Sequence, residues 1–415
     1  MWSKFTFPPS KYGQGISLLW RGMSSAFLWK GLRSTLFFGA SKTNPLKKNT
    51  IDGFGPKPLY FFESARSSIL CILRAAGIDQ NDEVIVSAFT CAAVTQAVVQ
   101  AGGIPVYVDI NDDLSMNDQS VLQNINVNTK FVIMQNTFGR VGLKRKTIQY
   151  LNKKNILVIE DCALSYGSQF GGVKIGSIGN AAVISLEVSK TLTIGWGGIV
   201  ILNDNNLNQK IQKYVQSVKE VNIFQDVKRL FQLYISVYLV TNYFKFSGIL
   251  WYFFYGFRIF RRSNKLTLIQ KKRNLLMGRY TKALLHYLAP NFEMFFQLTN
   301  KNFCHFQQHA HALGLLCPII QVQNEKIVSP RFPVLIDTKY LDDVVKLGKR
   351  SGIEVGRWFD EAPPTWSLDR CRVTDVSNAL SVSRKIINVP CHWTLNDKEI
   401  QDITKFLVSI KKITG

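Results

Sequence analysis

A chain of 415 residues with 46% hydrophobic content holds enough apolar surface for one large domain and a smaller one, which excludes a disordered tail or a minimal scaffold. Its 51 basic against 28 acidic residues give a formal charge of +23, which suits an anionic partner (phosphate groups, nucleic acid or a lipid surface) without choosing among them. The seven cysteines, at 71, 91, 162, 304, 317, 371 and 391, include no C-x-x-C pair, which argues against both a zinc site and a disulfide framework and points to a reducing compartment such as the cytoplasm.

Residues 1–56 are an aromatic and basic extension. Basic residues interrupt each apolar run of FLWKGLRSTLFFGA, and no small-residue cleavage site follows, so no signal peptide is read there. The extension fits either a membrane surface or a strap packed over the domain. From 57 to 225 the pattern alternates. SARSSILCILRAAG predicts a helix, EVIVSA a strand, CAAVTQAVVQAGG a helix, IPVYVDI and KFVIMQN strands, TIQYLNKKN a helix, ILVIED and AAVISL strands. Strands this apolar are buried on both faces, which argues an α/β domain with a mainly parallel sheet flanked by helices. The glycines of GGVKIGSIG lack the strand-then-helix setting of a dinucleotide loop and predict a turn.

The stretch from 226 to 265 contains RLFQLYISVYLVTNYFKFSGILWYFFYGFRIFRR, a strongly apolar and aromatic run. Thr241, Asn242 and Lys245 divide it into pieces of about 15 and 12 residues, shorter than the roughly 20 a spanning helix needs. Its flanks carry Lys228, Arg229, Arg258, Arg261, Arg262 and Lys265, the profile of a segment lying in the interface of an anionic membrane. A buried hairpin or an oligomer interface fits the same pattern. Residues 266–328 predict a helical connection. There His305, His309 and His311 include an i, i+4 pair as metal ligands require, but no acidic third ligand is nearby and a helix face is the better reading, so no metal is expected. Residues 329–415, with RFPVLID, YLDDVVKLGKRSG, KIINVP and DKEIQDITKFLVSI, predict a small α+β domain. The basic clusters KKRN and FRIFRR come without a nucleic-acid-binding module, so nucleic acid is not an expected partner.

In an open parallel sheet the ligand sits beyond the carboxyl ends of the strands. Asp161 ends ILVIED, and Lys190 follows AAVISL, so one crevice can receive both an acid and an amine. Desolvation enlarges the neutral fraction of an amine that can attack a carbonyl, and a carboxylate nearby can hold a pyridinium nitrogen. Pyridoxal phosphate chemistry needs that pair. Taken singly, a strand-end Asp is more often a cap and a Lys more often reaches for water. The glycines of TIGWGG are expected to let backbone approach a flat ring.

The blocks FESARSSILCIL, DEVIVSAFTCAAVTQAVVQAGGIPVYVDI, MQNTFGRVG, VIEDCALSYGS and ISLEVSKTLTIGWGGIVI resemble, in order and spacing, those of the DegT/StrS-type sugar aminotransferases, pyridoxal 5'-phosphate enzymes of fold type I. The resemblance is strong over 60–204 and weaker over 330–411. It implies that Lys190 bonds the cofactor and moves the proton, and that Asp161 partners the pyridine nitrogen. Ala65 and Arg66 stand where the family has a phosphate-binding pair, with Ser67 beside them and Ser185 as a further phosphate ligand. Asn136 and Glu187 are the candidate substrate contacts. Cys91 takes the place of an aromatic that stacks on the ring, with Phe89 as its substitute, and Leu164 replaces a usual Gln or His. After Lys210 the aromatic stretch intervenes where the family has a short Arg- and Asn-bearing loop that serves the neighbouring subunit.

The implied function is transfer of an amino group from an amino acid, glutamate above all, to a nucleotide- or lipid-linked keto-sugar in polysaccharide or glycolipid synthesis. The implied assembly is a homodimer, at the inner face of a membrane if the aromatic segment docks there. One rival is a sugar dehydratase of the same fold, in which histidine replaces the lysine, so Lys190 counts against it. The other is a degenerate member acting as a membrane-bound scaffold, a reading fed by Leu164 and Cys91.

Overall fold

Strand segments from the first half of the chain assemble in an order very different from their order in sequence. The computed structural model describes residues 56–187, 189–231, 275–364 and 370–415. Seven strands of four or more residues form the body of one sheet: β1 (Leu59–Phe62), β2 (Glu83–Ser87), β3 (Ile104–Val108), β4 (Thr129–Gln135), β5 (Leu157–Asp161), β6 (Ala181–Ser185) and β7 (Gly198–Leu202). Their spatial order is β1-β7-β6-β5-β4-β2-β3. The run from β3 to β6 is parallel throughout, and β7 and then β1 each pair antiparallel with the strand before. Two-residue strands extend both edges, Lys219–Glu220 and Leu275–Leu276 beyond β1 and Arg372–Val373 beyond β3. The alternating apolar segments thus become the expected parallel sheet. β1 and β7 are additions that the sequence pattern does not announce, because LYFF is only four residues long and GIVIL follows directly on the glycines.

Helices cover the sheet. α1 (Ala65–Ala76) starts at Ser64, whose Oγ accepts from Ser67 N, and stops at Gly77 with φ of 89°. That left-handed residue turns its N–H back to the last carbonyls, where a Cβ would be strained. α2 (Ala92–Ala101), α3 (Asp118–Gln123), α4 (Arg145–Lys153) and α5 (Asn205–Val215) follow. The GGVKIGSIG stretch is a turn, as expected: Gly171 and Gly172, with φ of 54° and 77°, join the paired strands Gln169–Phe170 and Val173–Lys174.

The later part of the chain contains α6 (Arg279–Leu288), α7 (Phe292–Ala312), β8 (Arg331–Leu335), α8 (Leu341–Arg350), α9 (Ser377–Lys385), β9 (Ile386–Pro390) and α10 (Asp397–Thr414). β8 and β9 pair antiparallel over five residues. Phe303 of α7 meets Phe332 of β8 edge to face at 5.2 Å, so the main core runs unbroken from the large sheet into this smaller unit. His305 reaches Thr404 Oγ1 of α10 at 3.1 Å, and His309 Nδ1 lies 2.8 Å from the His305 carbonyl, so this pair is spent on packing and helix contacts. All seven cysteines are free.

The N-terminal extension through 55 and most of the aromatic stretch, 232–274, lie outside the described residues, as do KKRN and FRIFRR. Residues 223–231 are helical and lead into that stretch. Among the described residues no helix is long and apolar enough to cross a membrane.

Side chains alternate across the sheet along β5, so adjacent acids face opposite ways. Glu160 is fully buried and accepts from Ile178 N at 2.6 Å, Gly179 N at 2.9 Å, Gly176 N at 3.0 Å and Asn136 Nδ2 at 3.1 Å. Burial raises its carboxyl and these donors pull it back. Glu160→Ala would strand three backbone amides, and we expect a loss of roughly 2–4 kcal/mol in chemical denaturation, with Glu160→Gln falling between it and the native protein.

Candidate active site

The parallel pairing of β5 with β6 sets Asp161 opposite Val183, so the carboxyl ends of both strands open on the same edge of the sheet. Asp161 is buried, and its Oδ1 accepts from Ala163 N at 3.0 Å. Burial raises its carboxyl above the usual range; the Ala163 hydrogen bond and the Lys190 ammonium partly oppose that shift. The acid and the amine are therefore near enough to interact electrostatically.

Lys190 is half-buried on a loop that leaves β6 and returns as β7. The neck of that loop is closed by backbone bonds, Leu186 N to Gly197 O at 3.0 Å and Ile194 N to Leu186 O at 3.2 Å, with a bridge between Glu187 and Gly195. Lys190 N donates to Glu187 O at 3.0 Å, and the Glu187 carboxylate accepts from Ser189 N at 3.1 Å and from its hydroxyl. Glu187 is exposed and lies in the field of Arg331. Ser185 is buried at the strand end, with its Oγ 3.5 Å from Glu187 N.

Two glycines of TIGWGG, Gly197 and Gly198, make room for backbone. A Cβ on Gly198 would stand 2.5 Å from Ala65 N and from the Ser64 carbonyl carbon and oxygen, and Gly197, at φ 126°, bridges Ser64. They let the strand that follows the lysine lie directly against the first turn of α1. The lysine loop and the helix start are thereby fixed to each other.

The start of α1 has the backbone polarity that suits an anion. First-turn amides have no acceptor inside the helix, and the positive end of the dipole adds to them. Ser67 N is taken by Ser64 Oγ, and the Gly197–Gly198 backbone lies against Ser64 and Ala65. Arg66 is half-buried, and its Nε is a buried donor without a hydrogen-bond partner. Burial lowers its pKa; Cys91 and Glu63 nearby offset part of that shift. Cys91 is exposed at the start of α2, opposite Arg66. Thr191, next to the lysine, also has a buried hydroxyl without a partner.

Other expected site residues are placed differently. Asn136 is fully buried, donates to Glu160 and accepts from Gly142 N at 2.9 Å, so both ends of its amide serve the fold and it is no substrate contact. Phe89 is fully buried in the main core, edge-on to Phe359 at 5.3 Å. Leu164 is a core residue. The sequence reading missed three groups. Trp358, between α8 and α9, sets its indole over Lys190 Nζ, 4.6 Å from the ring centroid. Arg331 is buried beside the same indole at 4.4 Å and is paired with Glu354 at 3.0 Å. Asp226, also buried, accepts from Tyr280 N at 2.9 Å, Thr281 N at 3.3 Å and the Thr281 hydroxyl, which in turn accepts from Trp196 Nε1 of the glycine loop at 3.1 Å. A separate cavity of about 1040 Å³, lined by Asp113, Arg140 and Lys144 among others, shares no residue with this crevice.

Residues 60–230 match the DegT/DnrJ/EryC1/StrS aminotransferase family. The matched region holds Asp161, Ser185, Lys190, Arg66 and the whole β1–β7 sheet. GDP-perosamine synthase of Escherichia coli O157:H7 is 34% identical over 136 residues, covering 32% of this chain and 37% of that protein. The chain thus spans little more than a third of the length of the curated relatives it matches. Likeness of fold reaches much further. Helicobacter pylori PseC, an aminotransferase involved in the biosynthesis of pseudoaminic acid, has a TM-score of 0.73 at 18% identity over 98% of this chain and all of that one. NtdA from Bacillus subtilis, solved with bound cofactor PMP, has a TM-score of 0.67 at 16% identity over 94% of this chain and 83% of that one. Likeness of fold to these two solved structures therefore reaches well past the family match.

Gly198→Ala places a methyl group against the backbone of α1. Thermal unfolding should show a loss of roughly 1–3 kcal/mol.

Proposed function

We propose that the chain is a pyridoxal 5'-phosphate-dependent aminotransferase that moves an amino group from an amino acid, glutamate or a close relative, to a keto-sugar carried on a nucleotide or a lipid. What supports this reading is that Lys190 acts electrostatically on the buried Asp161, while the strand following Lys190 packs on the first turn of α1, where Arg66 Nε is buried without a partner. The residues fit the cofactor: an unpartnered guanidinium nitrogen suits a phosphate dianion, a buried carboxylate suits a ring N–H, and an amine acts on that carboxylate. When bound, the cofactor supplies an electron sink for the carbon that loses its proton.

The chain supplies the rest. Arg66 and the amides of Ala65 and Arg66 hold the phosphate end, with Ser67 and Ser185 as neighbouring hydroxyls. Asp161 holds a proton at the ring nitrogen and fixes the ring's orientation. Lys190 Nζ would move a proton between the substrate carbon and the cofactor carbon, in one direction with the donor and in the other with the acceptor, so one amine serves both half-reactions. Glu187, exposed at the mouth, is placed to meet a substrate hydroxyl. The resemblance also implies a homodimer, which we include in the proposal.

Protein mixed with pyridoxal 5'-phosphate should show a visible band that glutamate bleaches, and Lys190→Ala should lack it; no band in the native protein would leave the scaffold rival standing. Asp161 must be ionised to hold a ring N–H, and burial raises its protonation point. Affinity for the cofactor should accordingly fall as pH drops, starting above the ordinary aspartate range. Asp161→Asn should bind roughly 10- to 100-fold more weakly, the equivalent of a charged hydrogen bond, with that pH dependence gone.

Peripheral attachment to an anionic membrane completes the proposal. Ile223, Phe224, Val227 and Phe231 are 50%, 76%, 38% and 60% exposed and fall within about 100° of one another around the helical segment 223–231. This apolar stripe leads directly into the aromatic stretch with its basic flanks, and such a face suits insertion at headgroup depth. The native protein should float with vesicles containing phosphatidylglycerol and stay behind with neutral ones. Phe224→Glu with Phe231→Glu should abolish flotation while leaving the cofactor band intact.

A further inference from the structure

One contact to Lys190 comes from the opposite end of the chain. Trp358 stands on the segment between α8 and α9, and its indole is 4.6 Å from the lysine nitrogen, within range of a cation–π attraction. The ring is not loosely placed. Arg331 flanks it at 4.4 Å and is itself tied to Glu354 at 3.0 Å and to Asn388 Oδ1 at 3.2 Å. Asn388 Nδ2 donates to the Trp358 carbonyl at 3.2 Å, and Gly356 and Asn388 exchange backbone bonds at 2.8 Å. Gly356 is required there, since its Cβ would lie 1.9 Å from Arg331 Nη1. Behind the indole, Phe359 lies parallel at 6.3 Å and meets the buried Phe89 edge to face at 5.3 Å, so an aromatic row runs from the core to the reactive amine.

We propose that Trp358 is a positioning residue for Lys190 and the aromatic face of the cofactor site, supplied by the small unit because Cys91 offers no ring. The exposed thiol at 91 cannot stack, and Phe89 is spent inside the core. Trp358 alone presents an aromatic surface to the amine among the described residues. This inference rests on the cofactor reading above. Two effects follow. The indole holds the lysine side chain in one orientation before the cofactor arrives, and it flanks the flat heteroaromatic ring once the ring is bonded there.

The test is titration of the whole protein with pyridoxal 5'-phosphate, read as the dissociation constant from visible absorbance and as the circular dichroism of the same band. Trp358→Ala should weaken binding roughly tenfold or more and change the dichroism, with the unfolding temperature close to native, while Trp358→Phe should bind within about threefold of native. Trp358→Leu, which fills the space without a π face, should behave like the alanine variant and serves in its place if that variant unfolds. Unchanged affinity and dichroism in Trp358→Ala or Trp358→Leu, or a phenylalanine variant as weak as leucine, would overturn the role of the indole alone. A native protein that forms no band would overturn this inference together with the cofactor reading.

Discussion

A backbone contact governs this molecule: the strand that begins at Gly197 and Gly198 presses against Ser64 and Ala65 at the start of α1. No side chain larger than hydrogen fits between them. The consequence is geometric. The lysine-bearing loop and the start of α1 belong to distant parts of the sequence, yet their separation is set by van der Waals contact of main chain on main chain, a hard constraint compared with a side-chain hydrogen bond. β1 and β7 pair antiparallel along four residues and hold that register. The two strands least visible in the sequence are thus the ones that align the site.

Burial and charge then divide the labour between neighbouring acids. Glu160 and Asp161 are both buried, and both have raised carboxyls, but for different ends. Glu160 has four donors and serves as an internal fastener for the turn at 176–179. Asp161 has one backbone donor and a nearby ammonium, which leaves capacity for a further cationic or N–H partner. A buried carboxylate short of donors is costly to the fold, and that cost is the ordinary mark of a site kept for binding.

Much of this was legible in the sequence. The period-two and period-3.6 stretches gave the parallel strands and their helices, and the strand-end positions of Asp161 and Lys190 followed from the architecture itself. Asn136 misled, because a buried amide beside a strand end has the same sequence signature whether it faces a ligand or a glutamate on the other side of the sheet. The glycine spacing signalled close approach, and at Gly197 and Gly198 the backbone of α1 is what approaches. Trp358 and Arg331 were out of reach, since each meets Lys190 or its neighbours only through tertiary folding of a unit that lies more than a hundred residues further on. The crevice-facing role of Asp161 was readable only because strand direction fixes which end of a parallel sheet is open.

The stem at Asp226 has a consequence for the length of the chain. Lys219–Glu220 lies beside Leu275–Leu276 in register, Asp226 grips the start of α6, and Arg229 pairs with Glu63 at 3.1 Å. Departure and return points of the intervening polypeptide are therefore pinned together independently of what lies between them. Closing a longer excursion from such a stem adds only about 0.6 kcal/mol for each doubling, so this edge of the sheet is a natural port where lineages or engineers can graft, trim or exchange a module without retuning the catalytic framework.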